Sequence, residues 1–352
     1  MLLPLTGWAS QIDVTCGNTA ADTTKLNTAI RQSHSGDRIQ IHGVCSIDKT
    51  ITLFGDRSYE GDSRTGTILR QANGTNLTAM LASDSWTENV NYTGDPIRIA
   101  HLTLDGASSS NSGTNVLVIR SWQTVLEDLL VENAPEDGIQ ITNLSKDGVA
   151  LQTSQVNGHI SNLFVTNSGG NGIHVEDTGN SVTDWSLLDS WIASSGKSAI
   201  YLGNAAGWTV RGNHIYGVQN HAIFAASCFS TSIEQNYIED FGDKGGGIYY
   251  GIACTMNGGA ASVIANNRIF MFNPERAKTE FIYIGVPDVN YGISQLNVTG
   301  NSILGSGSAA DTGMNFQLNG GVGLNLLSSG NNVQSVHTER IIGPGVKLAA
   351  SF

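Results

Sequence analysis

The chain contains no run of about 18 apolar residues, so nothing in it reads as a membrane span. Basic residues are scarce, 18 Lys and Arg against 30 Asp and Glu for a formal charge of −12, and that balance repels polyphosphates and argues against nucleic acid as a partner. A phosphate-cradling glycine loop, a His-Glu-x-x-His zinc motif and cysteine pairs at metal spacing are all missing. Only 6 of the 352 residues are proline and 14% are charged, whereas 42 are glycine, which supplies the positive φ that many tight turns require. Such a chain is long enough for a large core. One elongated domain over 1–352 fits it better than two compact ones.

What is present is a rhythm. Asp128, Asn162, Asp189, Asn213, Asn236, Asn267, Asn301 and Asn331 each stand two residues before an apolar residue, in steps of 23 to 34 residues. The segments around them, LEDLLVEN, HISNLFVTN, LLDSWIASS, VRGNHIYGV, IEQNYIEDF, IANNRIFMF and VTGNSILGS, superimpose without gaps, and self-similarity at this period marks a solenoid. Period-2 alternation predicts that Leu130, Phe164, Trp191, Ile215, Ile238, Ile269 and Ile303 stack in the interior. A second strand, DGIQI, NGIHV, SAIYL, HAIFA, GGIYY and EFIYI, predicts that Ile139, Ile173, Ile200, Ile223, Ile248 and Ile282 point inward. Gln140, His174, Tyr201, Phe224, Tyr249 and Tyr283 would then point outward. Period 2 and the prevalence of β-branched residues exclude helical repeats. The fold expected is all-β, a right-handed parallel β-helix in which the Asn side chains satisfy turn backbone and one another.

At the N-terminal end, DTTKLNTAI from Asp22 to Ile30 has an Asp cap and apolar Leu26 and Ile30 on one side, which predicts a short helix. It is followed by DRIQIHG, ITLFGD and GTILRQ. This order resembles the capping region of the pectate-lyase-like β-helix superfamily, where a helix covers the open end of the first coil. The resemblance extends over nearly the whole chain as architecture and implies a carbohydrate-active protein without naming one activity. About 11–60 would form the cap and first strands, 95–335 the regular coils, and 336–352 a tail.

Cys16 and Cys45 flank the cap helix, and Cys228 and Cys254 lie about one coil apart. Two disulfides and an oxidising compartment are one reading; four buried thiols are the other. The opening MLLPLTGWAS lacks a basic start and is too short for a signal peptide, so a trimmed secreted protein is expected.

The interior of a β-helix is filled by side chains, so a site must lie on an outer strand face between long loops. Short coils from Asn162 to Asn236, between longer insertions at 143–158, 240–261 and 273–293, predict a trough with raised ends. The outward row would lie along it, suited to a carbohydrate polymer or oligosaccharide, or else covered by a loop or another subunit. Glycoside hydrolysis needs two carboxyls at about 5 to 9.5 Å. The expected pair comes from Asp137, Glu176 and Asp177, with His174 and His221 beside it and Glu136, Lys197, Tyr201, Phe224, Tyr249 and Tyr283 binding substrate. Asp137 before Gly138, and Asp177 before Thr178-Gly179, also fit plain turn roles, and Glu176 a solvated surface carboxylate.

No cofactor is required in this reading. An alternative is a Ca²⁺-assisted polysaccharide lyase or uronate epimerase using Glu239, Asp240, Lys244 and Arg268, with Asp243 as a further oxygen ligand; an ordinary surface ion-pair group is the plainer reading of that set. A noncatalytic carbohydrate-binding or spike-like β-helix is a third, as monomer or homotrimer. The paired-Asp and His-Gly signatures of polygalacturonase-type hydrolases are absent; Glu136-Asp137-Gly138 comes nearest, and His42-Gly43 lies in the cap region.

Overall fold

A computed structural model describes residues 9–272, 278–287 and 292–349. Its strands pair in parallel and in sequence order, each coil laid on the one before. An eleven-stranded sheet runs from Ile51–Leu53 to Thr338–Ile342, and the remaining long ladders form the other faces of the coil. This is the right-handed parallel β-helix expected. Among the described residues no helix is long and apolar enough to cross a membrane.

The first coil is closed by the helix Asp22–Gln32, with Leu26 and Ile30 buried as its spacing predicts. Asp22 is not its N-cap. It is the first helical residue, and its carboxylate accepts the backbone N–H groups of Thr19 and Ser46, which fastens the helix to the neighbouring strand. Cys16 is disulfide-bonded to Cys45, and Cys228 to Cys254.

The asparagine series divides into two. Asn236 Oδ1 accepts both the backbone N–H and the amide of Asn213 at 3.0 Å, and the pattern continues through Asn267 and Asn301 to Asn331. This ladder satisfies the buried corner of each coil. It starts at Ser190, whose N–H is accepted by Asn213. Asp128, Asn162 and Asp189 are not in it. They occupy the preceding left-handed position, with φ of 52°, 54° and 48°, which later coils fill with Gly212, Gln235, Asn266 and Gly300. Asn and Asp tolerate that conformation through local hydrogen bonds, so they mimic the ladder residue one place early.

The consequence is a shift of frame. Val131, Val165 and Ile192 continue the interior stack in register with Ile215, Ile238, Ile269 and Ile303. Leu130, Phe164 and Trp191 face outward instead, because a one-residue slip reverses every side chain; Trp191 is 42% exposed.

In the eleven-stranded sheet Ile139, Ile173, Ile200, Ile223, Ile252 and Ile282 lie in register and are fully buried, each contributing roughly 1.5–3 kcal/mol by burial. Ile252 takes the place expected of Ile248, which is exposed. Gly251 explains the choice: a Cβ there would meet Phe281 O at 2.7 Å, the same crowding that fixes Gly138 against Gly172 O.

Candidate functional site

The outward row of the eleven-stranded sheet reads Gln140, His174, Tyr201, Phe224, Ala253 and Tyr283 in register. Tyr249 is not in it; it pairs with Thr279, and its hydroxyl donates to Gly245 O. Tyr250 fills the gap left by Ala253, stacking at 4.9 Å on both His221 and Tyr283. Tyr201 and Phe224 stack at 5.2 Å and 11°. The stacked rings therefore cover one another's faces and turn edges to solvent, so a sugar cannot lie flat on each ring in turn. The exception is the end nearest His174, whose ring meets Tyr201 edge-on at 83°.

At that end the chemistry converges. His174 Nδ1 is 2.6 Å from Asp137 Oδ2. Asp137 is buried, and its Oδ1 accepts the backbone N–H of Asn171 at 2.6 Å and the side-chain amide at 3.0 Å. Both of its oxygens are thus engaged. With Nδ1 donating to Asp137, an assignment taken from the hydrogen-bond network, the other imidazole nitrogen has no hydrogen-bond partner among the described residues.

Glu176 shares the outward face two residues on. Its Oε2 accepts from Gln140 Nε2 at 2.9 Å and from Thr142 Oγ1 at 3.0 Å. Asn115 supports both halves, accepting the Asp137 backbone N–H and donating to Gln140 Oε1. Asn115, Asn171 and Thr142 were not expected from the sequence, because only register between coils brings them to the site.

Lys197 and Glu136 form an ion pair at the rim, 2.5 Å apart, and the hydrogen bond that Lys197 donates to Glu136 holds its ammonium above its ordinary range. Asp177 takes the turn role, one of the two readings its Thr178-Gly179 context allowed. Its oxygens accept the backbone N–H groups of Gly179, Ser181 and Val182 and the amide of Asn204, so it organises its own turn. His221 is packed in the aromatic stack. Burial pushes its imidazole down to about 4, and Nδ1 accepts the Tyr250 N–H at 3.2 Å. Burial also raises the Tyr250 phenol to about 12, with Glu280 adding to the effect.

Glu239, Asp240, Lys244 and Arg268 do not join this centre. Glu239 and Arg268 lie on strands of another sheet. Glu239 accepts from Tyr237 OH at 2.6 Å and lies 3.2 Å from His214 Nε2, and Arg268 sits over the Tyr237 ring at 5.1 Å. Asp240 accepts the Phe272 N–H, and the Lys244 backbone N–H donates to Gln219 O in a turn. Among the described residues no group of three or more His, Cys, Asp or Glu converges as a metal site.

The 143–158 and 240–261 insertions are present at either end of the short coils. The third insertion, at 273–293, falls partly outside the described residues.

No family model matches the chain. Solved structures share the parallel β-helix fold. The A-module of a mannuronan C-5 epimerase from Azotobacter vinelandii superimposes with a TM-score of 0.59 at 15% identity, covering 95% of this chain and 97% of that one. An endo-xylogalacturonan hydrolase from Aspergillus tubingensis gives 0.53 at 13% identity, with 97% and 100% covered. A surface adhesin of Streptococcus pneumoniae gives 0.51 at 12% identity, with 92% and 90% covered. Identities this low establish the fold alone.

Proposed function

We propose that this protein is a secreted carbohydrate-active enzyme that binds a polysaccharide along the eleven-stranded face and transfers a proton through His174, which Asp137 orients. The observation that carries this reading is the 2.6 Å contact between Asp137 Oδ2 and His174 Nδ1. A histidine fixed in this way keeps one nitrogen for chemistry while the aspartate sets tautomer and direction. Epimerase and hydrolase neighbours of the same fold are in keeping with a sugar polymer as substrate.

Of the available reactions, the arrangement best suits proton abstraction at the uronate carbon next to the carboxylate. His174 would take the C5 proton, and the electron pair would delocalise into the substrate carboxylate. Return of a proton to the opposite face gives epimerisation; expulsion of the 4-linked oxygen gives elimination. Lys197, which feels the Asp137 charge, would meet the substrate carboxylate by exchanging its Glu136 partner. The Tyr201 hydroxyl, beside His174, is the second proton carrier.

Glycosidic hydrolysis is the second reading, and Glu176 supports it. Held outward by two neutral donors, it could protonate a leaving oxygen. Asp137 is poorly placed as its partner because neither of its oxygens is unengaged.

Incubation with alginate and with homogalacturonan in D₂O separates these outcomes. Unsaturated ends, or deuterium at C5 without chain scission, are expected. New reducing ends without unsaturation would move the assignment to hydrolysis through Glu176. No turnover and no binding of any polyuronate or neutral polysaccharide would overturn the enzyme reading.

A further inference from the structure

A second exposed surface lies on the sheet that carries Glu239 and Arg268. Its outward column runs Asp105, Glu132, Thr166, Ala193, Tyr216 and Glu239 in register, one residue per coil. Between Glu132 and Tyr216 the side chains are short, so the surface dips at Thr166, with Ala193 buried in the floor, over three coil steps, roughly 14 Å at about 4.8 Å each. Beside the dip stands a wall in which Phe164 stacks on Trp191 at 5.0 Å and Trp191 on His214 at 5.1 Å. On the other side the left-handed corners Asn167, Ser194 and Gly217 line an open cavity of about 530 Å³.

Tyr216, Trp191 and Glu132 each keep a group with no hydrogen-bond partner among the described residues. Tyr216 is 36% exposed, and it meets Trp191 and His214 at 46° and 37°, so no ring is stacked on either of its faces. The faces of Trp191 are covered, but its edge is exposed, and its indole N–H bonds to no described residue. The Glu132 carboxyl likewise has no hydrogen-bond partner among the described residues, whereas Asp105 is tied to Arg70 at 2.7 Å and to Asn133. Burial, with Asp105 adding, raises the Glu132 carboxyl above its ordinary range.

We propose that this dip is a noncatalytic carbohydrate-binding site for about three units of a neutral glucan-like chain lying along the coil axis. The open Tyr216 face takes the apolar face of a pyranose, and Glu132 and the Trp191 N–H hydrogen-bond its hydroxyls. Glu132 and Glu239, which stand in the outward column at either end of the dip, favour a hydroxyl-rich ligand over an apolar protein surface. Asp105, Glu132 and Glu239 together disfavour a polyuronate. The site is independent of the reaction at His174.

The test is titration calorimetry with α-1,3- and β-1,4-linked glucan oligosaccharides and with an oligouronate as comparator. At least one neutral oligosaccharide should bind, with Kd raised about tenfold or more by Trp191→Ala/Tyr216→Ala, a loss of at least about 1.4 kcal/mol. Tyr216→Phe should retain binding and His174→Ala should leave it unchanged, with thermal unfolding confirming that each variant folds. No neutral binding by the wild type, unchanged binding by the double variant, or loss on His174→Ala would each overturn the proposal. So would a change of oligomeric state in the double variant, which would make the surface a subunit interface. Failure here leaves the product assay at His174 unaffected, so the two readings fall separately.

Discussion

Asp137 and His174 lie on neighbouring coils, and the aspartate that touches His174 Nδ1 at 2.6 Å also holds the Asn171 backbone N–H at 2.6 Å. One side chain therefore fixes both the imidazole and the turn before it. Asp137→Asn presents an amide to Nδ1 and disturbs the tautomer, so turnover should fall about 10²- to 10⁴-fold. Binding of the polysaccharide should change little. Equal turnover in wild type and variant across the pH range would remove Asp137 from the mechanism.

Glu176→Gln distinguishes the two reactions. Gln140 and Thr142 donate to Glu176 Oε2, and a glutamine can still accept those bonds through its carbonyl. If His174 carries the proton, kcat should fall less than about tenfold, whereas loss of a general acid costs about 10²-fold or more. Steady-state kinetics at saturating substrate decides between them.

The ladder can be tested by stability. Asn267 Oδ1 accepts two hydrogens from Asn236, and its amide reaches Ile233 O and Asn301 Oδ1. Asn267→Ala strands several buried groups and should cost about 2–4 kcal/mol. Asn162→Gly, at a left-handed corner outside the ladder, should cost under about 1 kcal/mol. Denaturant melts giving equal losses would contradict the division of the series.

Period and strand type were legible in the sequence because period-2 alternation recurs from coil to coil and an inward Ile, after Gly, Ala or Phe, repeats in the second strand. The frame was not, since Asp128, Asn162 and Asp189 satisfy a left-handed corner with the same residue types that build the ladder one place later. GGGIYYGIAC contains two Gly-Ile pairs, and only the close approach of Gly251 to Phe281 O selects the second. His174 and Glu176 were readable as outward neighbours by parity. Their link to Asp137, 37 residues from His174, depends on coil register, and so do Asn115 and Asn171.

The Cys16–Cys45 disulfide closes a separation of 29 residues around the cap helix. On the chain-entropy account a loop of that length stabilises by about 3.6 kcal/mol. Cys16→Ser/Cys45→Ser should lower stability by that order and expose the first coil to proteolysis. An unchanged melting temperature and digestion pattern would show that Leu26, Ile30 and the Asp22 contacts hold the cap helix without the disulfide.

His221 sets a pH signature for the aromatic stack. Its folded pKa, near 4, lies below the ordinary histidine value because burial opposes the charged form. Between about pH 6.5 and 4 the unfolded chain therefore binds a proton that the native chain does not. Stability from this group is full above about pH 6.5 and declines as pH falls through the window, by up to roughly 2–3 kcal/mol. His221→Phe keeps a ring against Tyr250 and loses the hydrogen bond from its N–H, a cost that does not vary with pH. Carboxylates titrating in the same range act on both proteins and cancel in the difference. Urea midpoints at pH 7.5 and 4.5 should therefore differ less for His221→Phe than for the wild type. Parallel pH dependences for the two would mean that His221 already carries its proton inside the folded stack.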